Sequence, residues 1–117
     1  VALSTTPAIV DLRSTSTATY GTKATKAIGS NMALWAGNVF RDGAVSLIKY
    51  TGTDSDRDKV LQVIGGAVPT NSVTGYYRED VNMDGVVKYT NTANDRDPIL
   101  VNIGGAVPTN TRTEQLP

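Results

Sequence analysis

The sequence predicts a small α+β fold: an N-terminal extended segment followed by two copies of a unit made of a turn, a short strand, a second turn and a helix. Two observations carry this reading. The first is repetition. Ile64–Asn71 recurs letter for letter as Ile103–Asn110, and Lys49-Tyr50-Thr51 and Asp56-Arg57-Asp58 recur as Lys88-Tyr89-Thr90 and Asp95-Arg96-Asp97, all 39 positions on. Eight identical consecutive residues do not arise by chance in a chain of 117. The second is a change of pattern inside each copy, from a β-branched run to apolar residues at helical spacing. Upstream of the strand the offset becomes 42, matching Asp42-Gly43 to Asp84-Gly85 and Trp35 to Tyr77, so the first copy carries three extra residues between Gly43 and Lys49. The chain divides into an N-terminal segment, 1–33, a first repeat, 34–75, and a second, 76–117.

Val1–Leu12 is rich in β-branched residues, and short extended segments are expected at about 1–4 and 8–12. Pro7 restricts any strand here to an edge or a break. Such a segment either packs on its own domain or completes a neighbour's sheet. Arg13–Lys26 is dominated by serine and threonine and reads as a solvated loop or polar edge, where O-linked glycans could attach. No N-x-S/T sequence occurs. Asn31 is placed to cap a short helix running through Trp35, and Trp35, the only tryptophan, is expected to anchor the core.

In the repeats, strands are expected at about Val45–Tyr50 and Val86–Tyr89, and helices at about Arg57–Ile64 and Arg96–Ile103. Asp97 reads as an N-cap with Pro98 at the first helical position, and Asp58 as the matching cap. Leu61, Ile64, Leu100 and Ile103 form the expected apolar faces. Gly65 and Gly104 suit the left-handed residue that ends a helix, and Ala-Val-Pro-Thr-Asn follows as an extended connector.

Composition narrows function. Eleven basic and eleven acidic residues leave a formal charge of zero, so nothing steers the chain to nucleic acid or an anionic membrane. Hydrophobic residues make up 39%, with one tryptophan, five tyrosines and one phenylalanine, so the core is modest and a staple is expected. With no cysteine, that staple is a metal ion or packing between molecules. With no histidine, the commonest general base and the commonest zinc ligand are missing. No apolar run approaches the ~20 residues of a membrane span. A start at Val1 is consistent with a mature secreted form or an excised piece of a longer protein.

The second repeat holds the strongest chemical signal. Asp80-Val81-Asn82-Met83-Asp84-Gly85 places three oxygen-bearing side chains at alternate positions and a glycine sixth. A curling backbone aims such side chains at one point, and hard oxygen ligands suit Ca²⁺; magnesium, which demands a tighter octahedron, is the second choice. Asp80, Asn82 and Asp84 are the expected side-chain ligands, with Val86 giving its carbonyl. Asp95 or Asp97 is expected to close the site. Counted from Asp80 these are the sixteenth and eighteenth residues, not the twelfth of a standard loop, so 90–94 must bulge outward. The first repeat is degraded: its matching positions are Asn38, Phe40 and Asp42, with Asp56 and Asp58 on the returning side. Two outcomes fit there, weaker calcium binding or a turn that keeps its shape without metal.

Two such turns, each followed by a helix, resemble the duplicated calcium-loop–helix repeats of dockerin modules, in the EF-hand manner. The string DVNMDGVVKYTNTANDRDPILVNIGG with the ending EQLP is similar to C-terminal modules of large secreted surface proteins of Bacteroidota. The resemblance implies calcium-stabilised folding, an extracellular or cell-surface location, and a role in attachment or docking to a protein partner. It carries ligand positions onto Asp80, Asn82 and Asp84. The functional expectation is a non-enzymatic, calcium-stabilised interaction module. The alternative is a subunit of a self-assembling extracellular fibre, its N-terminal strand donated to a neighbour.

Overall fold

The computed structural model describes residues 5–19, 24–40 and 47–113. Its elements, in chain order, are β1 (Thr25–Ile28), β2 (Asn31–Leu34), β3 (Ile48–Lys49), α1 (Asp56–Val63), β4 (Ser72–Thr74), β5 (Val86–Lys88), α2 (Arg96–Asn102) and β6 (Thr111–Arg112). The α+β class is as expected, with three two-stranded antiparallel sheets and two helices among the described residues.

The helices and their surroundings obey the repeat closely. The buried apolar core is Val39, Ile48, Val60, Ile64, Val81, Val87, Ile99 and Ile103. Shifted by 42 or 39 positions, these eight are four equivalent pairs: Val39 with Val81, Ile48 with Val87, Val60 with Ile99, Ile64 with Ile103. Each helix therefore buries an i, i+4 pair, the spacing that puts two side chains on one face. Leu61 and Leu100, expected on that face, pack at its margin and are only half-buried. Burying one Val or Ile side chain contributes about 1.5–3 kcal/mol, so these eight described positions carry a large part of the favourable term, with Trp35, Tyr50, Tyr89 and Leu100 among the partly buried residues that add to it.

Both helices end alike. Gly66 N donates to Leu61 O and Gly65 N to Gln62 O; Gly105 N and Gly104 N make the equivalent bonds to Leu100 O and Val101 O, at 2.8 and 3.1 Å in each case. This two-bond C-terminal motif needs left-handed backbone, and Gly65 and Gly104 supply it at φ +108° and +118°. The helix starts differ from expectation. Ser55, not Asp58, caps α1, its hydroxyl accepting from Asp58 N at 3.3 Å. In α2 the same bond runs from Asp97 N to Asn94 Oδ1 at 2.8 Å. Asp58 and Asp97 thus lie inside the first turn as donors of N–H, and Pro98 sits one residue further in.

The strands exchange between repeats. β4, which follows the first helix, pairs with β5 of the second repeat, and β6, which follows the second helix, pairs with β3 of the first. The registers correspond: Ser72↔Lys88 has its counterpart in Lys49↔Thr111. Thr51 Oγ1 donates to Pro108 O and Thr90 Oγ1 to Pro69 O, both at 3.0 Å. The repeated Ala-Val-Pro-Thr-Asn is therefore a docking segment that each repeat lays on the other. That reciprocal contact accounts for its identity in both copies.

The expected helix at Asn31–Trp35 is a strand. Gly29-Ser30 forms a two-residue turn with Gly29 at φ +60°, and glycine at the first central position suits a tight hairpin turn. That turn overrides the capping signal of Asn31. Met32 N donates to Arg13 O at 2.8 Å, tying the N-terminal segment to the hairpin. Residues 8–12 form no strand, and the expected strand at 1–4 lies outside the described residues. Trp35 packs against the core but stays half-buried, with the Lys26 ammonium 5.4 Å and the Arg112 guanidinium 4.6 Å from its ring centre. Among the described residues no helix is long and apolar enough to cross a membrane.

Candidate metal centre

The Asp80–Val86 segment curls as its composition dictates. Met83 and Gly85 take left-handed backbone at φ +62° and +85°. Asp80 Oδ1 and Oδ2 accept from Asp84 N at 3.1 Å and Gly85 N at 2.8 Å. Asn82 Oδ1 accepts from the same Asp84 N at 2.9 Å, and Asp84 Oδ1 from Val86 N at 2.9 Å. Because Asp80 Oδ1 and Asn82 Oδ1 share one donor, they stand on the same side of the loop. Short side chains bonding two residues ahead are what Asp and Asn do in turns. Here Asn82 and Asp84 do it in succession, while Asp80 reaches four and five residues ahead, and together they wind the backbone inward.

The Asn82 amide also donates to Asp84 Oδ2 at 3.3 Å and to Ala93 O at 2.8 Å. The second bond ties the loop to the expected bulge. That bulge is built from left-handed residues, Asn91 at φ +71° and Ala93 at φ +56°. Gly52 and Asp54 hold the equivalent backbone in the first repeat, at φ +88° and +58°.

The returning acids have roles that motif matching did not assign. Asp95 is fully buried. Its Oδ1 accepts from Val81 N at 2.7 Å and Asn82 N at 3.2 Å, and its Oδ2 from Lys88 N at 2.7 Å. It therefore clamps the start of the loop to the strand that leaves it. Asp56, also fully buried, does the same in the first repeat: Val39 N and Phe40 N, both at 2.8 Å, on Oδ1 and Lys49 N at 2.7 Å on Oδ2. Expected as ligands, these two carboxylates are braces, their oxygens taken up by three backbone donors each. Burial pushes both carboxyls up from the ordinary aspartate range, and the N–H groups pull them part of the way back; Asp80's charge adds a small upward push on Asp95.

Asp97 and Asp58 turn to their own neighbours. Asp97 Oδ1 pairs with Arg96 and Oδ2 accepts from Asn94 Nδ2 at 2.9 Å; the Asn94 amide, then Arg96, holds its carboxyl low. Asp58 pairs with Arg57 at 3.1 Å. The two arginines also match, lying 5.1 Å from the Tyr50 ring and 5.3 Å from Tyr89. Asp97 lines a groove together with Asn82 and Asn94, which leaves it the acid of the pair that faces the loop's side.

In the first repeat, Phe40 stands where Asn82 stands in the second, with the Lys59 ammonium 4.6 Å from its ring centre. An apolar ring under a cation thus replaces an oxygen donor. Asn38 lies at the position of Asp80; Asp42 lies outside the described residues.

The donor chemistry of the second loop fits a hard dication. Asp80, Asn82 and Asp84 each bring a side-chain oxygen to a tight curl, Asp80 and Asn82 on one side of it. The Lys88 ammonium stands 3.7 Å from Asp84 Oδ2, and the Val86 carbonyl is one residue beyond Gly85. Among the described residues no three His, Cys, Asp or Glu side chains converge; the set is two carboxylates, an amide and a main-chain carbonyl. The remaining positions of a six- to eight-coordinate calcium shell would fall to water. The signal for the brace was present in the sequence, in the seven-residue interval from Lys49 to Asp56 that recurs from Lys88 to Asp95, but hydrogen bonding to backbone leaves no residue-type signature.

Comparisons with protein-family models, with curated proteins and with solved structures returned no match.

Proposed function

We propose that the chain is a calcium-stabilised, non-enzymatic interaction module of a secreted or surface protein, with Asp80, Asn82, Asp84 and Val86 as the metal-holding residues of the second repeat. The observation that carries this reading is the convergence of the Asp80 and Asn82 side-chain oxygens on Asp84 N, inside a loop whose backbone is pinned from behind by Asp95. Such a loop is shaped before any ion arrives, and an ion would add stability by linkage, since it binds the folded form alone. The first repeat acts as a scaffold half, with Phe40 and Lys59 filling the place of ligands.

Thermal unfolding with calcium and with chelator tests this reading. Calcium should raise the melting temperature of the wild type, and Asp84→Ala should remove most of that response. A melting curve indifferent to chelator sinks it.

The fibre alternative draws support from one feature. Ile9 and Val10 are exposed, on a segment that pairs with no strand among the described residues, and an unpaired apolar segment is a candidate for strand addition to a neighbour. A monomer persisting at high concentration by size-exclusion chromatography would rule against it.

A further inference from the structure

Between β4 and the metal loop the chain runs Gly75-Tyr76-Tyr77-Arg78, and these residues line an open cavity of about 810 Å³ with Asp80 and Met83. Small-molecule sites fall in the range of about 300–1,000 Å³ and combine aromatic walls with a few polar groups. Tyr76 is fully exposed, Met83 is 85% exposed and Tyr77 41%, an apolar display that core packing does not explain. The Tyr77 ring is also placed. It lies over Gly75, where a Cβ would come within 3.0 Å of it, so the glycine makes room for the ring.

Arg78 is the odd member of its class. Arg13 pairs with Asp11, Arg57 with Asp58 and Arg96 with Asp97, and Arg112 donates to the Asn102 carbonyl and stacks on Trp35. Among the described residues Arg78 alone of the arginines has no hydrogen bond, ion pair or ring contact. A guanidinium is a fork built for a carboxylate, and this one stands beside two tyrosines.

The geometry points to a binding site for an acidic saccharide, a uronate-type sugar whose C–H face lies on the tyrosine rings and whose carboxylate takes the Arg78 fork. The charges are complementary on this side of the cavity. On the other side, Asp80 Oδ2 would accept from a sugar hydroxyl, since it uses one lone pair on Gly85 N and an ion held through Oδ1 leaves its other lone pair free. An apolar peptide side chain seated there would instead cover that carboxylate with carbon, at a desolvation cost. This site shares Asp80 with the metal reading, which takes one oxygen of that carboxylate and leaves the other, whereas neither tyrosine nor Arg78 is an expected ligand.

The test is a ¹H–¹⁵N NMR titration of the intact, calcium-saturated protein with trigalacturonate and with its fully methyl-esterified form. The acid should bind in fast exchange, with shifts centred on Gly75–Arg78, and at least tenfold more tightly than the ester. Arg78→Ala should erase that preference, and Tyr76→Ala should weaken both forms about tenfold, each variant keeping the wild-type spectrum elsewhere. Equal binding of acid and ester, shifts centred elsewhere, or no binding at several millimolar overturns the site. Tighter binding of a tetra-aspartate peptide at the same residues overturns it in favour of a protein partner. Calcium affinity, measured on Arg78→Ala and Tyr76→Ala, should be unchanged, so a failure of the calcium reading and a failure of this one are told apart.

Discussion

Replacing Asp95 separates a brace from a ligand. The wild-type carboxylate takes three backbone N–H groups: Val81 N, which is buried, and Asn82 N and Lys88 N, which are partly buried. Truncation to alanine leaves all three without an acceptor. An orphaned buried donor costs about 1–3 kcal/mol; taking about 2 for Val81 and about 1 for each of the others, which water can partly reach, gives a loss of about 4 kcal/mol. Against a total stability of about 5–15 kcal/mol for a domain, that is severe. Asp95→Asn should cost less, about 2 kcal/mol. Its remaining oxygen serves Val81 and Asn82, but its amide N–H₂ then faces Lys88 N, donor against donor. The assay is urea unfolding of wild type and both variants, run in chelator and again in calcium. A brace predicts the same ordering and nearly the same losses in both conditions. A loss below about 1 kcal/mol for Asp95→Ala in chelator, or one seen only with calcium, refutes the bracing role and restores Asp95 as a ligand.

Other consequences are equally direct. Asp56, buried and three times bonded, should titrate above the ordinary aspartate value of 3.8 and Asp97 below it, read by carboxyl-detected NMR. The raised folded value means that Asp56 favours folding most when protonated, below its unfolded pKa, and that this contribution is lost as pH rises through the folded value. Asp97 acts oppositely, its contribution being present above the unfolded pKa and lost as pH falls through the depressed one; a titration order reversed between them would overturn the assignment. Ala93→Gly should stabilise by about 0.5–1 kcal/mol in urea unfolding, because φ +56° strains alanine by more than glycine loses in chain entropy. Gly37→Ala should destabilise by about 2 kcal/mol, since Gly37 sits at φ +100° and a new Cβ would come within 3.1 Å of Ile99; a neutral result would mean that the close approach to α2 relaxes freely.

The sequence showed the duplication, the helices to within a residue or two, and the turn chemistry at Asp80–Gly85, because each has a local signature: identity at fixed offset, apolar spacing, and Asx–glycine alternation. It did not show the strand exchange. β4 follows the first helix yet belongs to the second repeat's sheet, and only long-range pairing decides that. The same blindness turned Asn31–Leu34 into a helix, where Gly29-Ser30 makes a hairpin whose second strand is held by Arg13 O. Asp56 and Asp95 recur at the 39-residue offset and are legible as recurrent acids. What they bond, though, is backbone on another segment, and carboxylates aimed at N–H groups look the same in sequence as carboxylates aimed at a metal. Arg78 drew no notice for the opposite reason: an arginine stands out only once every other described one is seen to be paired.

Calorimetric titration of the chelator-stripped protein with calcium bears most directly on the central claim, that the curl from Asp80 to Val86 holds an ion. One saturable site should appear, lost in both Asp80→Ala and Asp84→Ala and retained in Tyr76→Ala. Absence of binding to the wild type, or a site that survives both aspartate replacements, would contradict it.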